Sequence, residues 1–141
     1  VNALVGTIRP TGYEDVDEQL ASVQNHLHIV QADLANPDPG AEDPTVRETH
    51  VDRLEDWIDA ADEELEPLTD FILPGGSDAG AALHHARSTC RRAERRTVGL
   101  AAEEAVNETA VAYLNRLSDY LFTVARLVNR RDGVPEEHPT Y

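Results

Sequence analysis

Apolar residues recur every three or four positions along most of this chain, and nowhere do they keep the two-residue alternation of a half-buried strand. Val16, Leu20, Val23, Leu27, Val30 and Leu34 fall on one face of a helix expected from about Glu14 to Ala35. Val51, Leu54, Ile58, Ala61 and Leu65 repeat the pattern from about Thr45, and Pro67 marks its end because a proline ring cannot continue a helix. A third stripe runs Ala79, Leu83, Ala86, Cys90, Ala93, Thr97 and Leu100, and a fourth runs Ala110, Leu114, Leu117, Leu121, Val124 and Val128, ending near Asp132-Gly133. Residues Val1 to Val5 read as the tail of a further helix that turns at Arg9 to Gly12. Each apolar face needs a partner, so the expected fold is an all-α antiparallel five-helix bundle whose first helix is truncated.

The connectors carry their own signals. Asn36 to Pro44 (NPDPGAEDP) holds three prolines and a glycine and reads as a loop. Phe71 to Ser77 (FILPGGS) places three large apolar residues before a Pro-Gly-Gly break, with Ser77 where a helix N-cap belongs. Those apolar residues either staple an interhelical turn or, in the case of Phe71, project into a cleft to meet a flat ligand.

At 141 residues with 40% hydrophobic content, the chain suits one domain with one core. It contains no run of 18 apolar residues and opens on no charged-then-apolar leader, so neither a membrane span nor a signal peptide is expected, and a cytoplasmic location follows. A single cysteine, Cys90, excludes an internal disulfide and reads as a small buried apolar residue. The twelve basic residues are all arginine against 27 Asp and Glu, for a formal net charge of -15. That balance argues against nucleic acid, which requires a broad cationic face. It also points to a chain adapted to high salt, where screening shortens self-repulsion.

Against this acidic background, five arginines crowd into Arg87 to Arg96 (RSTCRRAERR). They repel one another, and Glu94 alone does not neutralise them, so the stripe implies a small, specific anion, read here as a triphosphate. Arg87, Arg91 and Glu94 are spaced four and three apart and share one side of the helix, with Arg95 adjoining. Two guanidiniums there can grip phosphate oxygens, and the carboxylate can orient them or approach a metal ion. On the fourth helix Asn115, Asp119, Phe122 and Arg126 form a corresponding line, and the two faces are expected to share a cleft. The competing reading is a solvated face laced with Arg–Glu pairs.

The string FILPGGSDAGAALHHARSTCRRAERR from Phe71 to Arg96, followed by YLNRLSDYLFTVAR from Tyr113 to Arg126, resembles the signature of PduO-type ATP:cob(I)alamin adenosyltransferases. The resemblance implies a homotrimeric five-helix bundle with active sites between subunits. It implies transfer of the 5′-deoxyadenosyl group of ATP to the cobalt of reduced cobalamin, with Mg²⁺ assisting and a separate reductase supplying cob(I)alamin. Arg87, Arg91 and Glu94 would act in catalysis. Arg91, Arg92, Glu94, Arg95 and Asn115 would bind ATP, with Arg91 on the polyphosphate and Arg87 ordering the site through an Asp of a neighbouring subunit. Phe71 and Phe122 would line the corrin side. The family's glycine-rich nucleotide-binding segment, which carries that Asp, is expected before Val1, and a protein beginning at Val1 is expected to have little activity.

Two other classes are weighed against this. A ferritin-like di-iron protein needs helical Glu-x-x-His motifs, and none occurs among the six histidines. His84-His85 lack a matched metal-binding partner and read as surface or interface residues. A non-catalytic helical assembly module fits the heptad-like stripes and predicts self-association without nucleotide binding.

Overall fold

The computed structural model describes all residues from Val1 to Tyr141 as five α-helices without a strand. They are α1 (Asn2–Ile8), α2 (Glu14–Ala35), α3 (Glu48–Glu64), α4 (Asp78–Ala101) and α5 (Glu108–Arg131). The periodicity places α2 to the residue. It sets the start of α3 three residues early, because residues 45–47 are held extended: the Val46 amide donates to Asp33 Oδ2 at 2.8 Å, and Asn107 Nδ2 donates to the Val46 carbonyl at 3.0 Å. Leu65, extended at φ -101 and ψ 147, ends α3 ahead of Pro67. Ser77 caps α4 as expected, its Oγ accepting from the Gly80 amide at 3.1 Å.

Helix α5 is the axis of the bundle, packing on α4 along one side and on α3 along another, while α1 bridges α2 and α4. From Tyr120 to Asn129 only Phe122 escapes full burial. A two-faced amphipathic helix would leave one side of every turn exposed, so further chain must cover this half. The 66–77 loop and the C-terminal tail do so.

The core joins Val5, Leu20, Val23, Leu54, Leu83, Leu117 and Leu121, each fully buried and each contributing about 1.5–3 kcal/mol by removal from water. Two buried tyrosines keep their hydroxyls satisfied, Tyr113 on His26 Nδ1 at 3.0 Å and Tyr120 on Gln19 Oε1 at 2.9 Å. Cys90 is buried as expected and donates to the Leu114 carbonyl at 3.3 Å. No helix is long and apolar enough to cross a membrane.

Candidate active site

The arginine-rich segment forms the middle of α4, and its side chains divide by the helical wheel. Leu83, Ala86, Cys90 and Thr97 face the core. Arg92, Arg95 and Arg96 point away from it, exposed and without an ion-pair partner. Arg87, Arg91 and Glu94 lie on the flank between, beside α5. The solvated-face reading holds for Arg92, Arg95 and Arg96, which are exposed, and does not describe the partly covered Arg87 and Glu94. Arg91 makes a single loose contact with Glu94 at 3.8 Å, while Glu94 is only 12% exposed.

Arg87 Nε and Glu94 Oε2 are both buried and have no hydrogen-bond partner. A buried guanidinium donor and a buried carboxylate acceptor left open within two helical turns is costly unless something outside the chain completes them. The Arg87 guanidinium carbon lies 5.2 Å from the centroid of the Phe122 ring, which meets the His84 ring edge-on at 5.8 Å. Burial, reinforced by the positive charge of Arg87, lowers the pKa of His84, so its imidazole stays neutral beside the cation. His84 is therefore a buried wall of the site, whereas His85 is exposed.

Of the line expected on α5, two members meet α4. Phe122 packs against Arg87, and Asn115 shares with Glu94 a depression floored by Val98, Val111 and Ala112. The other two are engaged elsewhere. Asp119 accepts from Arg116 Nη1 at 3.2 Å, on its own helix. Arg126, 7% exposed, is engaged by the chain outside the helices, where Nε and Nη2 hold both oxygens of Glu136 and Nη2 also donates to the Glu66 carbonyl at 3.0 Å. Helical spacing fixed the face of Arg126 and said nothing of a carboxylate ten residues on in an irregular tail.

Phe71 corrects the staple reading: its ring is 76% exposed, with Leu68 and Leu73 also uncovered beside it. The backbone beneath is tightly held. Asn129 carries this turn, accepting from the Ser77 amide at 2.9 Å and donating to the Gly75 carbonyl at 2.8 Å. Backbone approaches so closely that a Cβ on Gly76 or Gly80 would lie 2.2 or 1.9 Å from Asn129 Oδ1. The sequence reading missed Asn129. The only signal for it was the pairing of Gly76 and Gly80, one on each side of the cap.

No three His, Cys, Asp or Glu side chains converge to cage a metal. The open Glu94 oxygen nevertheless fits a Mg²⁺ borne by phosphates, since that ion typically takes only one or two protein carboxylates there.

Fold and surface together define an all-α bundle with a cationic, incompletely partnered flank on α4 and an exposed aromatic loop before it. The profile of the family described as cobalamin adenosyltransferase matches residues 1–128, and the chain belongs to that family. It is 46% identical over 123 residues to a corrinoid adenosyltransferase of Bacillus subtilis, covering 87% of this chain and 63% of that one. A human corrinoid adenosyltransferase is 41% identical over 125 residues, covering 85% and 50%. This chain thus spans between half and two thirds of these curated relatives. A variant PduO-type ATP:corrinoid adenosyltransferase from Lactobacillus reuteri, solved with cobalamin and ATP, superposes with a TM-score of 0.90 at 33% identity, covering 98% of this chain and 77% of that one. A further variant of the Lactobacillus reuteri enzyme, complexed with ATP, gives 0.89 at 32%, covering 99% and 80%.

Proposed function

We propose that the full-length protein transfers the 5′-deoxyadenosyl group of ATP to the cobalt of cob(I)alamin, releasing triphosphate. The observation that carries this reading is the pair of buried, open polar groups, Arg87 Nε and Glu94 Oε2, on a flank shared with Arg91 and Asn115. Family membership and the ATP and cobalamin of the Lactobacillus reuteri structure support it.

Cob(I)alamin is itself a strong nucleophile, so in-line attack on the ATP 5′ carbon needs alignment and a stabilised leaving group rather than a protein base. The new bond joins cobalt to carbon with the electron pair of cobalt, and the breaking carbon–oxygen bond leaves its pair on triphosphate. Arg91 holds that polyphosphate, Arg92 and Arg95 extend the cationic surface toward it, and Asn115 contributes a neutral amide contact to ATP. Glu94 restrains Arg91, and its open oxygen would be the protein's ligand to Mg²⁺, which when bound would neutralise phosphate charge. Arg87 orders the site by pairing with an acidic residue of a neighbouring subunit in a homotrimer. Phe122 and Phe71 keep the corrin side apolar, which excludes water and an axial donor and so makes the four-coordinate Co(II) precursor easier for a reductase to reduce. The protein acts in the cytoplasm, and its lysine-free acidic surface suits a high-salt medium.

The test is anaerobic incubation of the full-length protein with ATP, Mg²⁺ and chemically reduced cobalamin, following the absorbance change of cobalt alkylation. Transfer is expected, with ATP affinity falling sharply in Arg91→Ala. Absence of any alkylation overturns the proposal, and a trimer that binds no nucleotide selects the assembly module instead.

A further inference from the structure

We infer that the C-terminal tail is a brace that positions the Phe71 loop for corrinoid, with Glu136 and His138 as positioning residues acting through Arg126 and the Phe71 backbone. The inference rests on the proposed corrin-side role of Phe71.

Residues 66–76 have no regular secondary structure yet carry three exposed apolar side chains, Leu68, Phe71 and Leu73. Such a segment would collapse or wander unless its backbone were tied. Every non-local hydrogen bond that it makes goes to α5 or to the tail. Glu66 and Gly75 carbonyls accept from Arg126 and Asn129 of α5. The Leu73 amide donates to the Glu137 carbonyl at 2.8 Å, and the Phe71 carbonyl meets His138 Nδ1 at 2.7 Å.

The tail is itself anchored, by the Val134 amide on the Asn129 carbonyl at 2.9 Å and by Glu136 on Arg126. Arg126 is therefore a buried cation shared between the start of the loop and the tail. With Glu136 in place its charge is met by both carboxylate oxygens, at 3.1 and 3.2 Å. The result at Phe71 is unusual: amide and carbonyl are both engaged, on Asp70 Oδ1 and His138, while the ring stands in solvent. A fixed backbone under a free aromatic ring is a preorganised apolar contact, and it spares a flat ligand the cost of ordering the loop. Arg91 and Glu94 lie two turns or more further along α4 and share none of these bonds.

The experiment compares Glu136→Ala, Glu136→Gln and His138→Ala with the full-length protein, after thermal melts confirm folding. Corrinoid KM is expected to rise about tenfold in Glu136→Ala with ATP KM unchanged, less in Glu136→Gln and His138→Ala. Hydrogen exchange at the Leu73 amide is expected to quicken in parallel. Equal rises in both KM values, or quickened Leu73 exchange with corrinoid KM unmoved, overturns the inference. Should the unaltered protein transfer no adenosyl group, the parent reading falls, and the brace is then decided by Leu73 exchange alone: unchanged exchange in Glu136→Ala refutes it and faster exchange supports it. Phe71→Ala completes the set, since wild-type corrinoid kinetics there would remove Phe71 from the corrin site.

Discussion

Replacing Gly80 by Ala should be the most damaging single-methyl change in α4, although alanine is the better helix former. The added carbon would lie 1.9 Å from Asn129 Oδ1 and 2.4 Å from its Cγ, so Asn129 must move. That side chain is short and 7% exposed, so it can leave its place only toward the small cavity that it lines with Gly75, Gly76 and Arg126. Moving it breaks its bonds to the Ser77 amide at 2.9 Å, the Ser77 hydroxyl at 3.2 Å and the Gly75 carbonyl at 2.8 Å. Three bonds at about 1 kcal/mol each, set against about 1 kcal/mol gained in helix propensity, leave a net loss of about 2 kcal/mol. Amide groups stranded without partners raise that to about 4 kcal/mol. Gly99→Ala is the internal control: in the same helix its new carbon meets nothing within 4 Å and should stabilise by up to about 1 kcal/mol. Urea denaturation should therefore separate the two midpoints by about 1–2 M. Coincident midpoints would show that Asn129 does not pin the loop, and the account of how Phe71 is presented would fail with it.

Three further outcomes follow from particular side chains. His26 is buried, and loss of hydration, with repulsion from His50 and Arg53, pushes its pKa down to about 4 from 6.5. Between those values the unfolded imidazole takes up a proton that the folded one refuses, so stability should fall by about 2–3 kcal/mol as pH drops from 7 to 4.5. His50 and His84, whose pKa values burial also lowers, add to the same fall, so His26→Gln should reduce the urea-midpoint slope without abolishing it, while the lowered carboxyls of Asp15, Glu64 and Asp132 lose their contribution mainly below this window. Burial pushes the Cys90 thiol up to about 12, so labelling by a disulfide reagent should track global unfolding; rapid labelling of the native protein would contradict its packing. Phe71→Ala should leave the melting temperature unchanged, whereas Phe122→Ala, which strips the ring from Arg87 and His84, should cost about 2 kcal/mol. Equal melting temperatures would refute the asymmetry.

The helices were legible because their signal is local. A 3.6-residue repeat of Val, Leu and Ala encodes a face without reference to anything distant, and so α2, α4 and α5 could be read within a residue or two. The arginine stripe and the FILPGGS turn were legible for the same reason, as dense local departures from an acidic, helical background. The same periodicity put Arg126 and Asp119 in line with Phe122, and it could not tell which would face α4.

What the sequence determined by itself is the set of helices, the side of α4 that bears Arg87, Arg91 and Glu94, and membership in a family whose motifs it carries. Tertiary structure alone decided which charges are spent and which are left open. Arg126 is neutralised by Glu136 and Asn129 is consumed by the turn at Gly75, while Arg87 Nε and Glu94 Oε2 remain unpaired under cover. The physical reason is that a helix repeat depends on neighbours three or four residues away. A buried hydrogen bond depends on whichever group the packed chain brings within about 3 Å, and no spacing rule supplies that distance.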